Sequence, residues 1–214
     1  LKNPLSIIYG GMDYLKAGLD SKLSEHDKQI FRMVFRSATE LQRMVGNILD
    51  IQKMRESNGK LVMEPFVLAE VAQQVIDQEN IIAVSEEKTI SLEVIGDVPL
   101  INADKEIIRR VIVNLLNNAL KFTPSHGSIG VRISYSASEK SVFVQVKDTG
   151  EGISKENLET VFGKFVQVGS ERSKIGHGLG LTFCKMMVEA HGGKIWAESD
   201  GKNKGSAFIF SLPA

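Results

Sequence analysis

Three short segments carry residue types at spacings that suit chemistry. The first is Asn114-Leu115-Leu116-Asn117-Asn118-Ala119-Leu120-Lys121-Phe122. Asn is a poor helix former, so three within one strongly apolar run call for a reason. Asn114 and Asn118 are four apart and share a helix face, with Lys121 near the same side on the next turn. An amide oxygen is a hard, neutral ligand for Mg2+, and a lysine meets phosphate. A polar stripe facing solvent accounts for this segment equally well. The second segment is Asp148-Thr149-Gly150-Glu151-Gly152-Ile153, at the end of an alternating stretch. It reads either as a tight turn or as a carboxylate aimed into a pocket. In a pocket Asp148 would accept a hydrogen bond from an exocyclic amine such as adenine's, and the glycines would let a base or ribose approach the backbone. The third is Gly176-His177-Gly178-Leu179-Gly180-Leu181, directly before a helical pattern. Glycines there expose backbone N–H groups to a phosphate, helped by the helix dipole; a flexible hinge is the alternative.

These segments need elements to hold them. Leu1, Leu5, Ile8, Met12, Leu15 and Leu19 recur at steps of three and four, which predicts a helix. A second helix carries Ile30, Val34, Leu41, Met44, Ile48 and Ile51, widened by Phe31, Ala38 and Val45. That width suits a four-helix bundle, of which one hairpin is half. A second copy would complete it, so a homodimer through residues 1–58 is expected. Glu56-Ser57-Asn58-Gly59-Lys60 breaks the pattern and marks the boundary with a second domain, 59–214.

In that second domain the pattern predicts a strand over 61–64. A helix over 67–85 follows, with Val71, Val75 and Ile82 among its buried positions. Thr89–Ile95 alternates as a strand, placing Ile90, Leu92 and Val94 on one face. A long helix over 104–122 starts at Asp104 as its cap. Strands over 128–135 and 142–147 form a hairpin, a helix covers 179–190, and strands at 194–198 and 206–212 close the domain. The fold class is α+β: a helical hairpin, then an α/β sandwich with a mixed sheet and helices on one face. It does not read as a dinucleotide-binding fold, whose glycine-rich turn comes between a first strand and a first helix.

Composition excludes some classes. Lys+Arg and Asp+Glu are 26 each among 214 residues, so no surplus of positive charge favours nucleic acid as a partner. Cys184 is the single cysteine, which rules out an intramolecular disulfide and a cysteine metal cage. No apolar run approaches the ~18 residues of a membrane helix. The opening Leu1-Lys2-Asn3-Pro4 has neither an initiator Met nor the features of a signal peptide. It reads as the middle of a motif, so a piece of a longer protein is expected.

Together, the three segments resemble the N, G1 and G2 boxes of the Bergerat-type ATP-binding fold. That fold is shared by sensor histidine kinases, type II topoisomerases, MutL proteins and heat-shock chaperones of the ninety-kilodalton class. Phe162-Gly163-Lys164-Phe165 resembles the F box of histidine kinases. His191-Gly192-Gly193-Lys194-Ile195-Trp196 is similar to the segment after their G2 helix, and Gly205-Ser206-Ala207-Phe208 to their last glycine box. Leu1-Lys2-Asn3-Pro4-Leu5 resembles the tail of the H box. The resemblance therefore spans the whole chain and points to a sensor histidine kinase of a two-component system.

The resemblance implies roles. Asn118 would coordinate Mg2+ on the ATP phosphates, with Asn114 and Lys121 in the same pocket and Phe122 beside the nucleotide. Asp148 would bind the adenine amine, with Gly150, Gly152 and Ile153 shaping that wall. Phe165, Gly176, Gly178, Leu179, Gly180 and Leu181 would complete the ATP site, and 163–177 would form its lid. Within the lid, Lys164, Arg172 and Lys174 would screen phosphate or simply be solvated; Gln167 stands where some relatives carry arginine. The phospho-acceptor histidine would lie two positions before Leu1, outside this chain, so residues 1–214 alone would bind ATP without phosphorylating themselves. Asn3 matches a position associated with phosphatase activity, followed by the kinking Pro4. His26, His126, His177 and His191 are in no H-box context and read as surface or capping residues. The implied activity is Mg2+-ATP-dependent phosphorylation of histidine and transfer to an aspartate of a response-regulator receiver domain. The implied setting is cytoplasmic, with an upstream sensor module and membrane anchoring of the parent left open. Two alternatives stand beside it. One is an ATP-binding signalling scaffold without kinase activity. The other is an ATPase of the topoisomerase or chaperone branch, against which the hairpin and H-box remnant argue.

Overall fold

The computed structural model describes residues 61–163, 166 and 178–214, together with Ile30, Val34, Ala38, Leu41, Val45, Gly46, Leu49 and Gln52. The chain divides into two units, Leu1–Asn58 and Gly59–Ala214. In the first unit the described positions are helical, and Ile30, Val34 and Leu41 are 47%, 52% and 42% exposed. The first predicted helix, the rest of the second, and Asn3 lie outside the described residues.

The second unit runs β1 (Glu64–Phe66), α1 (Leu68–Ser85), β2 (Thr89–Ile95), β3 (Ile101–Ala103), α2 (Lys105–Phe122), β4 (Ser128–Ser136), β5 (Ser141–Asp148), α3 (Gly180–Ala190), β6 (Lys194–Glu198) and β7 (Ser206–Pro213). Two 3-10 turns, Lys155–Asn157 and Thr160–Phe162, lie between β5 and α3. Five strands form one sheet in the order β2-β4-β5-β7-β6, and β1 and β3 pair separately. β2 and β4 run parallel while every other pair is antiparallel, so the sheet is mixed as expected. Parallel neighbours need a crossover, and the chain through β3 and α2 supplies it.

Alternation builds the core. Ile129, Val131 and Ile133 of β4 and Val142, Val144 and Val146 of β5 are buried, every second residue. Against the sheet lie Val71 and Val75 of α1, Ile108, Ile112, Leu115 and Leu116 of α2, and Phe183 and Met187 of α3, all at most 1% exposed. Each such large apolar side chain stabilises the fold by about 1.5–3 kcal/mol relative to leaving it in water.

Some expectations are corrected. The first strand begins at Glu64, not at 61, because the Val62 N–H donates to Asp104 Oδ2 (3.0 Å) and pairing starts at Glu64 opposite Ala103. Ile82 is 45% exposed; its neighbour Ala83 turns into the core instead. Val94 is 44% exposed near the end of β2, an edge strand with a neighbour on one side only. β3 was not expected; three residues are too few to show an alternation.

Asp104 caps α2 as predicted, accepting from the Ile107 N–H at 3.1 Å. Its own N–H donates to His191 Nε2 (3.0 Å), and His191 Nδ1 donates to Met187 O (2.7 Å). The buried imidazole thus ties the end of α3 to the start of α2. His191→Phe keeps a flat ring, slightly larger, but leaves the Asp104 N–H without its acceptor. Urea unfolding should show a loss of about 2 kcal/mol.

Candidate functional site

β5 ends in Asp148, and the β5–β7 register sets Ser206 opposite it. Asp148 is 2% exposed. Its Oδ1 accepts from the Gly150 N–H (2.7 Å) and the Ser206 N–H (3.3 Å), and its Oδ2 accepts from Ser206 Oγ (2.5 Å). Burial pushes this carboxyl above its ordinary range, and the bonds from Ser206 and Gly150 pull in the other direction. The carboxylate is held rigid by the protein before any ligand arrives.

The turn after Asp148 is gripped on two sides. A Cβ on Gly150 would stand 2.4 Å from Phe122 O, so only glycine lets the end of α2 come this close. Phe122 O accepts from the Glu151 N–H at 3.3 Å. On the other side the Ile153 N–H donates to Ser199 Oγ (3.0 Å), and Ser199 Oγ donates to Gly205 O (2.7 Å). Gly205 N–H donates to Gly150 O (3.1 Å), with Gly205 at φ +72° and placed so that an added Cβ would stand 2.1 Å from the Asp148 carbonyl oxygen. Gly152 belongs to the same knot, against Gly201.

α2 presents the amide face. Asn114 is buried; its Nδ2 donates to Arg110 O (2.8 Å), and its Oδ1 would lie 3.1 Å from a Cβ on Gly180. The first turn of α3 therefore rests on Asn114. Asn118 is half-buried one turn further on. Asn117 is not part of this face: its Nδ2 donates to Val113 O (2.9 Å) and to Glu79 Oε1 of α1 (3.3 Å). Lys121 Nζ stands 4.7 Å from the Phe122 ring centroid. Gly178 has φ +63°, Leu179 is buried, and Leu181 is half-buried in the first turn of α3. The Arg110 guanidinium lies over the Phe183 ring at 4.7 Å, packing α2 on α3.

Asp148, Gly150, Gly152, Ile153 and the end of α2 at Phe122 thus come together, and Asn114 meets Gly180. Phe165, Gly176 and His177 lie outside the described residues. Ser206, Ser199 and Thr182 also hold the site, and nothing in their residue type announced it. Among the described residues no three of His, Cys, Asp and Glu cluster to hold a metal. An amide such as that of Asn118 suits Mg2+ carried in by a ligand's phosphates rather than caged by protein.

Residues 103–214 match the family of histidine kinase-, DNA gyrase B- and HSP90-like ATPases. The chain belongs to this family. Within it the histidine kinases are similar over the whole length. The adaptive-response sensory kinase SasA of Synechocystis sp. is 33% identical over 218 aligned residues, covering all of this chain and 56% of SasA. The chain thus spans about half the length of the curated relatives it matches. The catalytic domain of histidine kinase ThkA superimposes with a TM-score of 0.63 at 28% identity, over 72% of this chain and 96% of that one. ThkA in complex with response regulator protein TrrA gives a TM-score of 0.67 at 26% identity, over 99% of this chain and 57% of ThkA. The second unit is thus similar to the catalytic domain of histidine kinases, and its mixed sheet with helices packed on it is the architecture that the sequence pattern predicts. Among the described residues no helix is long and apolar enough to cross a membrane.

Proposed function

We propose that this domain binds ATP with its adenine on Asp148 and its phosphates between α2 and the start of α3, and that it phosphorylates a histidine of the kinase to which it belongs. The observation that carries the reading is the buried, pre-oriented Asp148 carboxylate, walled by Gly150, Phe122 and Ser206. A carboxylate fixed in this way accepts the adenine amine at little reorganisation cost. Gly150, Gly152 and Ile153 line the base's wall. Asn118, with Asn114 and Lys121 on the same helix side, faces the triphosphate. Gly178, Leu179, Gly180 and Leu181 present the first N–H groups of α3 to it, with Phe165 and Gly176 completing the site. Mg2+, when bound, neutralises charge that develops on the transferred phosphoryl group. The protein's own part is positioning: α2 and α3 hold the phosphates in line while the base is anchored at the end of β5.

The phosphoryl group would pass from histidine to an aspartate of a receiver domain, a reading favoured by the likeness to ThkA, which has been solved with response regulator TrrA. Asn3 would serve dephosphorylation. Residues 1–58 would form the dimerising hairpin and 59–214 the catalytic domain; the exposed helical Ile30, Val34 and Leu41 support an apolar face that a second copy covers. The deciding experiment pairs titration calorimetry of Mg2+-ATP with γ-phosphate labelling, on this chain and on one extended upstream through the H box. Binding by both and labelling of the extended chain are expected. Binding without labelling in either would favour a nucleotide-dependent scaffold. Asn118→Ala in the extended protein should lower the labelling rate about 100-fold, as when one transition-state partner is removed. An undiminished rate would dismiss its metal role.

A further inference from the structure

Thr182 is 6% exposed in the first turn of α3. Its Oγ1 lies 3.1 Å from Phe162 O, 3.0 Å from Gly163 O and 3.4 Å from Gly178 O. A hydroxyl has one proton to give, yet three carbonyl oxygens converge on it. Three partial negative charges repel one another, and that proton is what the convergence rests on. Phe162 and Gly163 precede Thr182 far back in the chain, whereas Gly178 lies one turn before it.

The two sides differ in how firmly they are held. Phe162 is buried at 7% exposure, and its ring meets Phe208 of β7 edge-on, with centroids 6.2 Å apart. Phe208 sits in the middle of the sheet, paired opposite Val146 and Ala197. Gly178 has a left-handed φ of +63°, and the Leu179 N-cap position has no side-chain capping bond. The Gly178–Gly180 backbone is thus located by Thr182 against the sheet and by Asn114 against α2.

We infer that Thr182 is a positioning residue for the phosphate end of the nucleotide: its hydroxyl sets the Gly178–Gly180 backbone so that the first N–H groups of α3 point at the phosphates. This rests on the nucleotide reading above and adds to it a residue that would touch no ligand. Replacing the hydroxyl by a methyl keeps the volume of the side chain and removes the one donor that the three carbonyl oxygens share. The Gly178 carbonyl then turns away, and the adjoining N–H groups turn with it. The base end, at Asp148 and Gly150, makes no bond to Thr182 and should not be affected.

The test uses the full chain as wild type, Thr182→Val and Thr182→Ser, titrated by calorimetry with ATP, ADP and adenosine in Mg2+ well below the melting temperature. Thr182→Val should weaken ATP and ADP by about tenfold, the loss of one hydrogen-bonded contact, with adenosine within about twofold of wild type. Thr182→Ser, which restores the hydroxyl, should return ATP to within about threefold of wild type. Equal weakening of adenosine and ATP would mean a general loosening and overturns the inference, as does wild-type ATP affinity in Thr182→Val. Failure of serine to rescue would overturn it too, because shape and not the hydroxyl would then matter. Should Thr182→Val not fold, Thr182→Ala gives the same comparison. A wild-type chain that binds adenosine but not ATP, or neither, overturns the nucleotide reading itself, an outcome visible before any variant is measured.

Discussion

Asp148→Asn should lose ATP affinity by about 100-fold while folding at least as well as the wild type. The two halves of that expectation have one cause. In the protein, Asp148 Oδ1 takes two backbone N–H groups and Oδ2 takes the Ser206 hydroxyl. An asparagine Oδ1 keeps the first two bonds, and its Nδ2 can donate to Ser206 Oγ once that hydroxyl rotates. The internal bonding survives. The ligand's bond does not, because the adenine amine would now meet a donor where it had a charged acceptor. Hydrogen bonds to charged groups contribute about 1.5–3 kcal/mol, which sets the size of the loss. Stability changes the other way. Burial raises the Asp148 carboxyl above its ordinary value of 3.8. A carboxyl raised on folding contributes most below the unfolded value, and that contribution is lost as pH rises through the folded one. Asparagine carries no such penalty. The variant's advantage in urea unfolding should therefore be present at neutral pH and vanish on acidification below the ordinary carboxylate range. Unchanged ATP affinity by calorimetry would remove Asp148 from the site.

Gly205→Ala is the second large effect, and Gly96→Ala is its control. Both glycines have φ near +70°, so any side chain at either pays for a left-handed backbone, at least about 1 kcal/mol. At Gly96 nothing lies within 4 Å of the added Cβ. At Gly205 it would stand 2.1 Å from the Asp148 carbonyl oxygen and 3.2 Å from the Thr149 Cα. Backbone must move, adding about 1–3 kcal/mol of overpacking. What moves is the junction where Ser206 meets Asp148. Gly96→Ala should shift the urea midpoint by about 1 kcal/mol equivalent and leave ATP binding intact. Gly205→Ala should lose roughly 3 kcal/mol and bind ATP weakly even where it is folded. Equal midpoints for the two variants would show that the close approach costs nothing.

What could be read from the chain follows the range over which a residue acts. β2 and β6 were predicted to the residue, and α1, α2 and α3 to within one, because periodicity and a cap such as Asp104 are local signals. β1 was misplaced because Val62 bonds to a side chain 42 residues away instead of to a strand. The Asp148-Gly-Gly turn and the amide helix were legible as motifs, since their residue types are unusual for their places. Ser206 fell within the last glycine box, but its bond to Asp148 was not legible, because that role exists only through the register of β7 on β5. Ser199 and Thr182 escaped for a similar reason: each is an ordinary hydroxyl until the chain closes around it. Asn117 stood out in sequence beside Asn114 and Asn118, and it proves to tie α2 to α1.

β7 follows every other strand in the chain, yet it fills an interior slot between β5 and β6. During synthesis β5 must therefore wait, with one edge open, for a partner made later. The wait from Asp148 to Ser206 is 58 residues. At ~5–20 residues per second that is about 3–12 s on the ribosome, and longer before β7 clears the exit tunnel. Through that interval Asp148 has no Ser206, and the nascent domain has no finished place for a nucleotide. The domain under translation would thus stay silent towards ATP until β7 is seated, and the same seating removes the exposed edge that invites aggregation.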